Sequence, residues 1–269
     1  MPSIRTLLSA AAIAALGFAA PAMAQSQIVT VTVQNLASAN GVSFAALRLG
    51  FNNGSYDSFN MGQVATAPII SVAEAGNGNA WFPAFAAADP TATLGSVVGT
   101  LFPGATASMS FTVDPSVNRF FTFASMVVPS NDFFIGNDNP MQYRLFDDAG
   151  NLLITSITQR ASQIWDAGSE VFDPAAAAFV GTGALRAPQN SVVAFNFAEL
   201  AAFNGLTTSA GYVFNSGLTA ASEVYRIGFT VSPVPEPGTY ALLIAGLAGV
   251  GFVARRRLSG MQPAGTFAA

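Results

Sequence analysis

The fold of this chain is constrained most by a series of short apolar stretches separated by Gly, Asn, Asp and Pro. Residues 28–34 and 109–113 alternate apolar and polar side chains with the period of two that is typical of half-buried strands. Residues 119–128 form a longer apolar run that ends at Pro129, which predicts a strand buried on both faces. Further strands are predicted at 143–146, 152–154, 192–197 and 225–231. Many short strands with turn residues between them favour an antiparallel β-sandwich.

The remaining local patterns are weaker. Residues 147–151, Asp-Asp-Ala-Gly-Asn, have the composition of a hairpin loop between two of these strands. Helical signal is limited to one or two turns at 68–75, 82–88 and 197–203. We therefore expect an all-β body over residues 25–232.

Three residue types are missing, and their absence excludes most catalytic classes. The 269-residue sequence contains no Cys and no His, and all ten of its basic residues are Arg. It therefore has no disulfide, no thiolate nucleophile and no Ser-His-Asp triad. It also lacks a lysine for a P-loop or a Schiff base. Acid–base chemistry in this chain would have to rely on carboxylates.

The charge of the body is strongly acidic. Residues 25–232 contain six Arg against thirteen Asp and Glu, a net charge of −7. Binding to nucleic acid requires neutralisation of phosphates by basic residues, so we expect no nucleic-acid partner. Divalent cations remain compatible with this charge.

The N-terminal 24 residues read as a secretory signal peptide. Arg5 precedes an apolar run, and Ala22-Met23-Ala24 forms a small-x-small cleavage site, which predicts cleavage between Ala24 and Gln25.

The C-terminal segment, 233–269, contains a second targeting pattern. A Pro-rich linker at 233–239 leads into an uncharged span at 240–254, which is followed by Arg255, Arg256 and Arg257. Together with the preceding Pro-Gly-Thr the uncharged run reaches the length of a short membrane span, and the Arg cluster would stay cytoplasmic. We therefore expect a short C-terminal transmembrane helix.

This tail resembles the PEP-CTERM sorting signal of Gram-negative bacteria that produce exopolysaccharide. The resemblance rests on Pro235-Glu236-Pro237, the short apolar span and the Arg cluster, which occur in the family's order. It implies an exosortase-like processing enzyme as partner and transient anchoring in the inner membrane. Delivery to the outer surface or the biofilm matrix would follow.

Two acidic stretches of the body are candidates for metal binding. Asp132 follows the buried strand, and Asp166 and Glu170 lie on either side of Gly168 in a single turn. Calcium prefers six to eight oxygen ligands from carboxylates, amides and carbonyl groups. Solvated acidic loops without a metal are the alternative. Asp138, Asp173 and the Asn/Gly-rich turn at 49–57 lie in or beside candidate loops of the same kind.

The same stretches resemble the spondin domain of F-spondin and mindin. Residues 125–136 match its S-M-V-V-P-S-x-D-[WF]-F-[VI]-G pattern, and 166–170 match D-A-G-[TS]-[DE]. The resemblance implies an eight-stranded antiparallel sandwich and a calcium site with Asp132, Asp166 and Glu170 as ligands.

These patterns together predict a non-enzymatic, calcium-binding adhesion or interaction domain that is exported to the surface. A ligand such as exopolysaccharide or a surface protein is expected. Phe133, Phe134 and Trp165 could stack on sugar rings, although core packing is the favoured interpretation. Two alternatives stay open: a structural coat protein without metal, and a carboxylate-dependent enzyme acting on polysaccharide.

Overall fold

Two antiparallel sheets dominate the computed structural model, which describes residues 25–97, 99–181, 186–234 and 239–259. The strands are β1 (Gln27–Asn35), β2 (Ser43–Phe44), β3 (Leu47–Asn52), β4 (Thr93–Val97), β5 (Thr106–Val113), β6 (Phe120–Val128), β7 (Phe133–Gly136), β8 (Ser156–Arg160), β9 (Trp165–Asp166), β10 (Ala194–Phe195) and β11 (Glu223–Pro233). The α-helices are α1 (Ala67–Ala73), α2 (Trp81–Ala88) and α3 (Thr239–Ser259), and short 3₁₀ helices span Ala161–Gln163 and Phe197–Phe203.

The smaller sheet has the order β5-β1-β11-β8. Val29, Val31 and Val33 of β1 are buried against the second sheet. On the opposite face Thr30 and Thr32 pair through their hydroxyl groups with serines of β5, at 2.8 and 2.9 Å. The alternation in the sequence therefore predicted correctly which face of β1 enters the core.

The larger sheet has the order β10-β9-β7-β6-β3-β4, with β2 paired to β6. Every residue of β6 after Phe120 is buried, because the strand is covered on both faces. Phe121 meets Phe229 of the smaller sheet with ring centroids 4.8 Å apart. On the other face Ala124 belongs to a second apolar cluster, formed with α1 and α2. The predicted doubly buried strand is confirmed.

The two helices form a partial third layer on the larger sheet. Pro68 lies in the first turn of α1, where its missing N–H costs no hydrogen bond. Trp81 and Phe85 of α2 are fully buried against this layer. Gly50 of β3 allows the close approach of α2, since a Cβ there would lie 2.6 Å from the Phe85 ring.

The all-β sandwich is confirmed, but the count of eight strands is wrong for the part of the chain described, which contains eleven. Residues 143–146 and 152–154 form isolated bridges instead of strands. The reason is that Leu145 and Phe146 both donate their N–H to the carbonyl of Arg119, which breaks the ladder. The turn between them forms as predicted, since Phe146 and Leu152 face each other across it.

The helical predictions are close to the observed elements. Residues 68–75 and 82–88 correspond to α1 and α2, and 197–203 is helical with 3₁₀ geometry. The strand expected at 192–197 is reduced to Ala194–Phe195, because the chain turns into that 3₁₀ helix.

Both targeting segments lie partly or wholly outside the described residues. The signal peptide, residues 1–24, is outside them, as are Pro235, Glu236 and Pro237. Residues 240–254 are helical within α3. Within the described parts of the chain, however, no helix has both the length and the apolar character needed to cross a membrane. The transmembrane helix expected over 240–254 is thus not found among the described residues.

Candidate functional site: a buried carboxylate cluster

The two motif stretches meet at the pairing of β7 with β9. Phe133 lies opposite Asp166 and Phe134 opposite Trp165 in this short antiparallel ladder. Asp132 immediately precedes β7, and its carbonyl accepts a hydrogen bond from the N–H of Ala167 at 3.2 Å. The loop that follows β6 and the turn that follows β9 are therefore neighbours in space, although more than 30 residues separate them.

Asp132 holds the turn after β9 in place. One carboxylate oxygen, Oδ2, accepts hydrogen bonds from the backbone N–H groups of Ser169 and Glu170 at 2.6 and 3.0 Å, and from the Ser169 hydroxyl at 3.1 Å. The residue is 2% exposed. The Asp132 carboxylate gives these donors a buried acceptor. A buried N–H that is left without a partner costs about 1–3 kcal/mol.

Asp166 closes the same turn from the other side. Its Oδ1 accepts a hydrogen bond from the N–H of Gly168 at 2.7 Å, and its Oδ2 accepts one from the Asn196 amide at 3.1 Å. Gly168 has a φ of +63°, and a Cβ there would lie 2.9 Å from the backbone of Ser191. Both backbone conformation and space therefore require glycine at this position.

Glu170 is buried and paired with an arginine from a distant loop. Its Oε1 lies 3.2 Å from Nη1 of Arg186, and the same nitrogen donates to the carbonyl of Glu74 at 3.0 Å. The second carboxylate oxygen of Glu170, Oε2, is buried and has no hydrogen-bond partner among the described atoms. The site therefore contains one unsatisfied carboxylate oxygen, which is costly to bury.

The electrostatics of the cluster disfavour negative charge. Burial, and next the charge of Asp166, raise the pKa of Asp132 to about 6, against the opposing effect of its hydrogen bonds. Burial raises the pKa of Glu170 to about 7, although Arg186 acts in the opposite direction. The carboxylates of Glu74 and Asp132 add to the increase at Glu170, whereas a hydrogen bond from the Asn131 side chain lowers the pKa.

The structure thus brings Asp132 near both Asp166 and Glu170, but the oxygens of these three predicted ligands mostly face protein donors. Across the residues that the structure describes, no three acidic side chains are grouped so that they could hold a metal ion. Calcium at this cluster stays a prediction.

The other acidic residues lie elsewhere. Asp173 contacts the first loop only through its backbone, which exchanges hydrogen bonds with the Asn131 side chain. Asp57 accepts from the Asn60 amide at 2.9 Å, and it lies near Asp138. Burial is the main reason that the pKa of Asp138 is raised.

Sequence reasoning missed Asn131 and Arg186. Asn131 is next to Asp132 within the 125–136 motif, so the sequence could have identified it as a site residue. Arg186 reaches the cluster from a loop with no recognisable pattern, and only the fold reveals its role.

The three aromatic residues considered for sugar stacking belong to the core. Phe133, Phe134 and Trp165 are at most 5% exposed. The Trp165 indole donates to the carbonyl of Gly136 at 3.0 Å. The core-packing interpretation is therefore confirmed, and stacking of sugar on these rings is excluded by their burial.

The C-terminal tail is the second functional element. A family model described as the PEP-CTERM protein-sorting motif matches residues 233–257. The match supports the sorting tail and implies recognition by an exosortase, with export and membrane-associated sorting. No curated protein matches the chain. Arg255 lies exposed on α3, within the matched range.

Replacing Asp132 by Ala should lower the free energy of unfolding by about 2 kcal/mol, because two backbone N–H groups lose their buried acceptor. Urea denaturation followed by circular dichroism measures the change. Glu199→Ala, which alters a carboxylate outside the cluster, should change the value by less than about 0.5 kcal/mol. Equal effects of the two substitutions would contradict the structural role of Asp132.

The pKa of Glu170 predicts a defined pH dependence. A buried carboxyl whose pKa is raised stabilises the fold below its ordinary pKa of 4.5, and this contribution is lost as pH rises through about 7. The melting temperature of the wild type should therefore fall, relative to Glu170→Gln, between pH 4.5 and 7. Glu223→Gln, an exposed carboxylate paired with Arg226, is the control. If the melting temperatures of wild type and Glu170→Gln changed with pH in parallel, the raised pKa of Glu170 would be refuted.

Proposed function

We propose that this chain is a non-enzymatic, exported surface or biofilm-matrix protein with a spondin-like β-sandwich as its binding domain. The observation that carries the proposal is the sorting motif at 233–257, which begins where β11 ends. Processing by an exosortase would release the sandwich from the membrane for delivery to the outer surface or matrix.

The spondin-like assignment is supported by the contacts between its two motifs. The 125–136 segment forms the hairpin of β6 and β7, and the 166–170 turn packs beside it. Asp132 of one motif accepts hydrogen bonds from the backbone of the other. Such mutual dependence gives a physical reason for both patterns to occur in one chain.

The non-enzymatic assignment is supported by the burial of the best acid–base candidates. Asp132 has a pKa of about 6, but it is 2% exposed and its Oδ2 is occupied by three donors. A general acid or base must come within hydrogen-bond distance of its substrate. The pKa of Asp132 is suitable for a general acid or base, but its burial keeps a substrate from reaching it.

Calcium binding at Asp132, Asp166 and Glu170 is a second proposal, which the unpartnered Oε2 of Glu170 favours. Burial, and to a smaller extent neighbouring carboxylates, raise the pKa of Asp132 and Glu170, and a bound divalent cation would favour their charged forms. It would compete with Arg186 for Glu170. If the chain is instead a structural coat protein without metal, the carboxylate cluster only stabilises the fold.

Calorimetric titration of the protein with calcium chloride tests this second proposal. We expect measurable heat and a rise in melting temperature, because an ion that binds only the folded state stabilises it. Asp166→Asn should abolish both effects. Asp148→Asn, in an exposed carboxylate paired with two arginines, should leave them unchanged. A wild-type protein that shows neither heat nor stabilisation would favour the coat alternative.

The sorting assignment makes a separate prediction. Replacing Arg255, Arg256 and Arg257 together by Ala should cause unprocessed protein to accumulate, since the positive cluster fixes the orientation of the tail. Immunoblots of cell and surface fractions measure the processed share. Arg226→Ala, on the sandwich, is the control. Normal surface delivery of the triple variant would count against an exosortase-dependent route.

A further inference from the structure

We propose that the protein binds an uncharged polysaccharide in an aromatic groove at the end of the sandwich far from the sorting tail. The groove is lined by Ala39, Asn40, Phe102, Pro103, Ala210 and Tyr212. The inference rests on the proposed function, because it names a ligand class and a site for the exported domain.

Two aromatic residues, Phe102 and Tyr212, line the groove, and Phe179 lies next to both of them. The Phe102 and Phe179 rings have centroids 6.4 Å apart with planes inclined by 31°, whereas Tyr212 meets Phe179 edge-on at 6.0 Å and 63°. Phe102 is 43% exposed, so its ring is accessible from solvent. The face of an aromatic ring is electron-rich and attracts the C–H groups on the apolar face of a sugar ring.

Two unusual backbone conformations occur at the same place. Among the described residues other than glycine, only Asn40 and Phe179 have positive φ, at 63° and 78°. A positive φ is unfavourable for a bulky residue such as Phe179, whereas Asn tolerates it, and unfavourable backbone conformations cluster at functional sites. The carbonyl of Phe179 is held by the N–H of Ser209 at 2.6 Å, and that of Asn40 by the N–H of Asn215 at 2.9 Å. Asn40 lines the groove, and Phe179 contacts its aromatic residue Phe102.

The polar groups and the charge of the groove select the ligand class. The Tyr212 hydroxyl donates to the carbonyl of Gly41 at 3.0 Å, which fixes its ring, and the Asn40 amide is exposed at the rim. None of the six lining residues is charged. The surrounding body is acidic, with a net charge of −7, and repels polyanions. A neutral hexose polymer fits these conditions better than an acidic one.

The position of the groove suits a surface protein. Gln27 of β1 pairs with Pro233, next to the tail, whereas Asn35 at the other end of β1 exchanges hydrogen bonds with the loop that contains Phe102. The N–H of Asn35 donates to Ala105, and its carbonyl accepts from Gly104. Nine residues of strand, about 30 Å, therefore separate the groove from the tail.

Isothermal titration of the full chain with cellohexaose, an uncharged glucan hexamer, tests the proposal. We expect saturable binding that Phe102→Ala weakens about tenfold, the value of one good stacking contact. Phe102→Trp should retain binding because it keeps an aromatic face. Phe172→Ala, at a residue 39% exposed and outside the groove, is the matched control and should bind like wild type.

Three results would overturn the proposal: no binding by the wild-type chain, equal losses in Phe102→Ala and Phe172→Ala, or tighter binding of hexagalacturonate than of cellohexaose. Binding by purified protein is independent of where the cell places it. Failure here with normal surface delivery would leave the proposed function intact, whereas failed delivery would overturn that function and not the groove.

Discussion

The buried carboxylate of Asp132 organises the region in which the two motifs meet. It accepts hydrogen bonds from Ser169 and Glu170, and so fixes the turn after β9 against the hairpin of β6 and β7. The same turn places Asp166 and Glu170 beside it and positions Glu170 to meet Arg186. Without this acceptor the backbone N–H groups of the turn would need other partners. The turn would then no longer be held beside the short β7–β9 ladder.

The rest of the fold is arranged around β6. This strand is buried between the smaller sheet and the layer formed by α1 and α2, so it belongs to both apolar clusters. Its C-terminal end leads directly into the loop that contains Asp132. The carboxylate cluster thus sits at the end of the most buried strand, which explains why its charges are desolvated.

Much of the sandwich could be predicted because burial in a strand follows local pattern. The alternation in β1 and the apolar run in β6 both specify faces, and the structure bears them out. The ladder lost around Arg119 and the shortened β10 depend on which carbonyl a backbone N–H finds, and local pattern does not encode that choice. Asp132, Asp166 and Glu170 were found as a group through a motif, whereas the role of Arg186 and the positive φ angles of Asn40 and Phe179 depend on contacts between distant loops.

The pairing of β1 with β11 has a mechanical consequence. β11 lies between β1 and β8, and it runs from the groove end of the sandwich to the tail. A pull on the C-terminal end of β11, with the opposite end of the sandwich held, would act along β11 and across its hydrogen bonds, which lie perpendicular to the strand. The bonds to both neighbours would be sheared together and not opened one after another. A central strand attached in this way would therefore resist a pull along its axis.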